Sequence, residues 1–159
     1  MTAIRTARPA VEVPGICTIG YEGRSLEGYL NQLIEAGVTL LCDVRRNPRS
    51  RKYGFSESTL AKTCDGVGIR YEHLPMLGIP SEERRFLATQ SDYDALFDAY
   101  TRQTLSRQEH ALQLIRQWVD DGMRVALTCV ERLPQQCHRH CIAEALERKF
   151  GKPFGPVHL

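Results

Sequence analysis

The sequence predicts an α/β fold: a single domain with a mostly parallel sheet of about four to five strands and helices on both faces, a Rossmann-like three-layer arrangement. Three observations predict it. Short apolar runs alternate with amphipathic helical stretches along the whole chain. "VTLLCDV" (38–44) and "RVALTCV" (124–130) are almost continuously apolar, as strands buried on both faces of a parallel sheet are. The polar and reactive residues gather just after the strands, where open α/β sheets bind their ligands.

Each element follows in order. "MTAIRTARPAVEVP" (1–14) reads as a flexible N-terminal extension, without the apolar stretch of a secretion signal, and residues 15–159 as the domain. "GICTIGY" (15–21) is the first strand. In "SLEGYLNQLIEAG" (25–37), Leu26, Leu30, Leu33 and Ile34 recur at helical spacing behind a Ser25 cap, and Gly37 stops the helix. "VTLLCDV" is the second strand and "RRNPRSRKYG" (45–54) a basic loop. "SESTLAKTCDGVG" (56–68) is a short serine-capped helix, and "IRYEHLP" (69–75) the third strand. "GIPSEERRFLA" (78–88) is irregular, and its length and mixed charge suit a lid over a site. "DYDALFDAYTRQT" (92–104) and "RQEHALQLIRQWVDDG" (107–122) are helices, the second with an apolar stripe of Ala111, Leu114, Ile115, Trp118 and Val119. "RVALTCV" is the fourth strand, residues 135–150 the last helix, and "PVHL" a possible fifth strand that returns His158 to the sheet edge.

Composition narrows the function. The 159 residues, 42% hydrophobic and 25% charged, are those of one ordinary globular domain. A net charge of +2 implies neither nucleic acid nor membrane as partner, and no apolar run reaches the roughly 18 residues of a membrane span. Six cysteines spread through strands and helices, with no export signal, imply reduced thiols and a cytoplasmic protein. Cys17 and Cys42 sit in apolar strands as small core residues. Oligomeric state is not legible.

Two loops carry the chemistry. "DVRRNPRSRK" places Arg45, Arg46, Arg49, Arg51 and Lys52 after the second strand. Guanidinium forks there suit phosphate or carboxylate, Pro48 stiffens the loop, and Asp43 can orient an arginine. "CVERLPQQCHRHC" (129–141) packs three cysteines and two histidines between a strand and a helix. Pro134 suits a first helical turn, whose free N–H groups attract anions and lower the pKa of a nearby thiol. The candidate catalytic residues are therefore Cys129, Glu131, Cys137, His138 and Asp43. The candidate anion-binding residues are Tyr21, Arg45, Arg46, Arg49, Ser50 and Arg139. His73 is as consistent with a structural role as with the site, and His110 reads as surface.

A metal is possible but not favoured, because no paired C-x2-4-C knuckle is present. If one is bound, Cys137, His140 and Cys141 share a helical face and are its ligands. "LLCDVR" also resembles a strand end of rhodanese-like sulfurtransferases, but the C-x5-R phosphate loop is missing: Pro134 and Gln135 follow where it would close.

"TIGYEGRSLEGYL", "LLCDVRRNPRSRKYGF", "GIRYEHLPMLG" and "VALTCVERLPQQCHR" resemble the signature segments of domain of unknown function family 488, from about Thr18 onward. The matching polar positions are Gly20, Tyr21, Asp43, Arg45, Pro48, Ser50, Cys129, Glu131, Pro134, Cys137, His138 and Arg139. The resemblance implies an α/β domain and brings no reaction with it. Three classes stay open: an enzyme acting on a phosphate-bearing substrate (nucleotide or nucleic acid), a thiol- or metal-dependent redox or sulfur-transfer protein, and a non-catalytic nucleic-acid module using Tyr53 and Phe55 for stacking.

Overall fold

The computed structural model describes residues 13–159, so the extension expected over 1–14 lies almost wholly outside it. The main elements are β1 (Gly15–Gly20), α1 (Leu26–Glu35), β2 (Leu40–Asp43), α2 (Glu57–Gly66), β3 (Arg70–His73), α3 (Gln90–Ala99), α4 (Glu109–Asp120), β4 (Arg124–Cys129), α5 (Arg139–Phe150) and β5 (Val157–His158). The five strands form one all-parallel sheet in the order β3-β2-β4-β1-β5.

Alternation along the strands feeds two cores. Ile16, Leu40, Cys42, Val125, Leu127 and Cys129 face α4, α5 and the chain that follows α3. Cys17, Ile19, Leu41 and Ala126 face α1 and α2. Helices thus cover both faces, and the central strands carry apolar side chains on each. Among the described residues, no helix is long and apolar enough to cross a membrane.

Local chemistry sets the helix ends. Ser25 caps α1 by accepting from the Gly28 N–H at 3.0 Å. Ser56 precedes α2 without capping it, because its hydroxyl accepts from the Ser50 N–H and donates to the Ser50 carbonyl. Two apolar stripes differ from expectation. In α1, Tyr29 and Leu33 are buried and Ile34 reaches solvent; in α4, Leu112 is buried and Leu114 is not. The helix expected to run to Thr104 ends at Ala99 and widens into a π-helical turn, Tyr100–Thr104. Tyr100 is buried there and donates to the Leu77 carbonyl at 2.6 Å.

The last helix starts at Arg139, not near residue 135. Pro134–Gln136 forms a separate 3-10 turn, and Cys137 is extended, with φ −132° and ψ 139°. That break between the turn and α5 is what frees Cys137 and His138 from a regular helical array.

The parallel register levels the strand ends. Gly20 pairs with Cys129, and Asp43 pairs with both Thr128 and His73. The loops after β1, β2, β3 and β4 therefore leave one edge of the sheet at the same height.

Candidate active site at the carboxyl edge of the sheet

A cavity of about 390 Å³ opens at this edge, a size suited to a small ligand. Cys129, Val130 and His138 line it from the β4 side, Arg45, Arg46 and Arg49 from the basic loop, and Ile79 to Glu82 with Arg84 from the 78–88 segment. That segment does flank the site. Its approach is close because Gly78 packs directly on the Arg46 backbone, where an added Cβ would lie 2.2 Å from the Arg46 nitrogen.

Cys129 ends β4, and its Sγ lies 3.4 Å from Glu131 Oε2 and 3.7 Å from His138 Nδ1. Cys137 Sγ lies 3.8 Å from the same Nδ1. The extended Cys137 and the short 129–138 loop bring these four residues together. The ring of His138 has a defined tautomer. Val44 O can only accept, so Nε2, 2.8 Å away, carries the proton; Arg84 Nη2 can only donate, so Nδ1, 2.8 Å away, accepts. Tyr100 packs edge-on against the ring.

Arg84 also donates to Glu131 Oε1 at 2.6 Å. It is the site residue that sequence reasoning missed. The length and mixed charge of residues 78–88 pointed to the segment, but nothing separated Arg84 from its charged neighbours. Burial opposes the charge of Arg84, yet Cys129 and Glu131 outweigh it and strengthen its hold on the proton.

The two thiols split apart. Burial pushes Cys129 up, but the hydrogen bond from the Cys137 thiol and the charge of the nearby Arg84 guanidinium oppose it and hold the thiol below its ordinary value. Cys137 goes the other way, raised by burial and by the Cys129 charge. Burial, then Cys129, raises Glu131 despite its bond to Arg84, which favours proton exchange nearer neutrality. The edge thus holds one thiol lowered from its ordinary value, one thiol raised and a carboxyl group raised.

Several candidate residues have other duties. Asp43 is fully buried: Oδ1 accepts from the Arg45 N–H and Nε, and Oδ2 from Arg45 Nη2 at 2.6 Å and from the Tyr71 hydroxyl. Arg45 donates its remaining fork to the Tyr21 hydroxyl and the Phe55 carbonyl. Arg45 borders the cavity but is only 4% exposed. Tyr21 stacks on Phe55 with ring centres 4.5 Å apart, and both are buried, so Phe55 offers no surface for a base; Tyr53 alone is exposed. Ser50 closes its own loop by accepting from the Lys52 N–H. Arg139, also buried, donates to the carbonyls of Glu131 and Arg132 and shapes the loop from behind.

The suggested ligand trio of Cys137, His140 and Cys141 is not gathered. His140 Nδ1 faces the Cys137 carbonyl and its ring packs against Phe97, beside a separate depression that also holds Pro134 and His158. Among the described residues, the group close enough to share an ion is Cys129, Cys137 and His138, whose ligand atoms lie within 4.8 Å of one another. His73 donates to the Arg45 carbonyl at 2.7 Å, and His110 is exposed.

Fold and cavity together define a parallel α/β protein with paired thiols and arginines at the carboxyl edge of its sheet. The family model described as domain of unknown function DUF488 matches residues 25–146, and the chain belongs to that family. No curated protein and no solved structure matches it.

Proposed function

We propose that this chain is an enzyme, a hydrolase or transferase, acting on a phosphate-bearing substrate of mononucleotide size, with Cys129 as its nucleophile. The observation that carries the reading is the convergence of Arg46, Arg49 and Arg84 on a cavity lined by an acidic, buried thiol. Guanidinium groups recognise phosphate oxygens through paired hydrogen bonds and stabilise charge that develops on them. The Cys129 thiolate attacks the electrophilic centre of the bound substrate, and the Cys129–substrate bond replaces the bond to the leaving group. Glu131 gives the leaving group its proton, and water or a second acceptor then releases the enzyme. The Cys137 thiol and the Arg84 guanidinium hold the thiolate in place.

A purely nucleic-acid-binding role is supported less, because burial of Phe55 removes one of the two rings that such a role would use. The test uses iodoacetate, an anionic alkylating agent, with peptide mapping. Cys129 is expected to react first, and phosphate or a mononucleotide to protect it. In Arg46→Ala/Arg49→Ala, that protection is expected to fall about tenfold. Equal reaction of all six thiols, or phosphate with no effect on Cys129, overturns the proposal. Rapid sulfur release from thiosulfate, in place of turnover of phosphate compounds, reassigns the site to sulfur transfer.

A further inference from the structure

We propose that Cys129, Cys137 and His138 form an exchangeable site for a thiophilic divalent cation of the zinc class, which Arg84 keeps closed in its absence. The first argument is metric. Zinc bonds of about 2.3 Å to sulfur and about 2.0–2.1 Å to nitrogen give a tetrahedral S···N edge of about 3.6 Å. The two S···N separations here are 3.7 and 3.8 Å, so the protein frame already spans two edges of such a tetrahedron.

The second argument is the histidine. A metal-binding imidazole offers one bare nitrogen while its other nitrogen donates to a carbonyl or carboxylate that fixes the ring. His138 is arranged in this way, with Nε2 anchored on Val44 O and Nδ1 turned toward both sulfurs. All three ligand residues are buried, and Cys129 and His138 border the cavity, which leaves a fourth position open toward it. Glu131 Oε2, 3.4 Å from Cys129 Sγ, is near enough to take that position or to orient a water there.

Arg84 supplies the opposing term. Its Nη2 occupies the lone pair of Nδ1, so guanidinium and metal are alternative cations for one set of electron pairs. Loading moves Arg84 off the ring, and the metal replaces the Cys137 thiol proton, which leaves to solvent. A sulfur bound to metal no longer attacks substrate. The site is therefore a brake on thiol chemistry at Cys129, although its existence does not depend on that chemistry.

The experiment titrates full-length, chelator-treated protein with zinc and with cobalt(II). One ion per chain, a thiolate-to-cobalt charge-transfer band, and zinc protection of Cys129 and Cys137 but not Cys64 from alkylation are expected. Cys137→Ser and His138→Gln should each weaken binding at least about tenfold, Cys141→Ser should leave it unchanged, and Arg84→Met should tighten it about tenfold. Substoichiometric uptake overturns the proposal, as does full uptake by folded Cys137→Ser and His138→Gln. Should those variants fail to fold, the wild type decides: zinc that leaves the alkylation of Cys129 and Cys137 unaltered overturns it. Phosphate protection measured in chelator stands apart from these results, so failure of the metal site and failure of the substrate reading are distinguishable.

Discussion

Two polar clusters end adjacent strands, and they use their charges in opposite ways. At the end of β2, Asp43 and Arg45 form a closed set: the carboxylate accepts four hydrogen bonds and the guanidinium is held by Asp43, Tyr21 and Phe55. At the end of β4, Arg84, Glu131, Cys129, Cys137 and His138 are no less close together, but an acidic thiol and an imidazole lone pair border a cavity. A completed network is a positioning device, whereas an incomplete one retains capacity for chemistry. The chain after β2 joins them, since its Val44 carbonyl anchors His138 and its Arg45 carbonyl anchors His73.

The largest way to break the contrast is to remove one charge from each cluster. Asp43→Ala leaves Arg45 buried and unpaired, and is expected to cost about 3–5 kcal/mol in urea unfolding. Glu131→Ala, from a pair that water partly reaches, should cost about 1 kcal/mol. Similar losses for the two would erase the distinction between closed and open clusters.

Reactivity tests it next. At neutral pH, Cys129 should alkylate at least about tenfold faster than Cys64 or Cys141, and its rate should fall less steeply than that of a free thiol as pH is lowered from 9 toward 7. A rate that falls with pH like that of a free thiol would show Cys129 to be protonated. Arg84→Ala should then slow Cys129 about fivefold, while Arg45→Lys should weaken the fold and leave the rate nearly unchanged.

The smallest expected effect comes from thiols outside both clusters. Burial pushes Cys64 to about 12 and Cys141 to about 11, against an ordinary 9.0. The folded protein keeps these protons where the unfolded chain releases them. Their contribution is thus fully present below pH 9.0 and is lost as pH rises toward 11 and 12. By about pH 9.5 the loss should be roughly 0.8 kcal/mol per thiol, read as a falling melting temperature that Cys64→Val flattens.

Much of this was legible in the sequence, for reasons that separate local from distant information. Apolar runs fixed where strands lie, and the parallel alternation then required their ends, with Cys129, Glu131, Cys137 and His138, to meet at one edge. The fate of the arginines was not legible. Arg45, Arg46, Arg49 and Arg139 look alike in a charge pattern, but Arg45 is tied by Tyr21 and Phe55 from distant segments and Arg139 by the turn it shapes, whereas Arg46 and Arg49 stay free to line the cavity. The late start of α5 was hidden for a related reason. Proline favours a helical first turn, and nothing local said that Cys137 would extend and interrupt it.

The tight packing at Gly20 also bears on inheritance. A Cβ there would stand 1.8 Å from the Glu131 carbonyl oxygen and 3.0 Å from Arg139 Nη1. Any replacement must push back the loop that carries Glu131 toward Cys129, so the position has no near-neutral neighbours in sequence space. At this residue every single-step departure from glycine meets the Glu131 backbone, which cannot yield without disturbing the site.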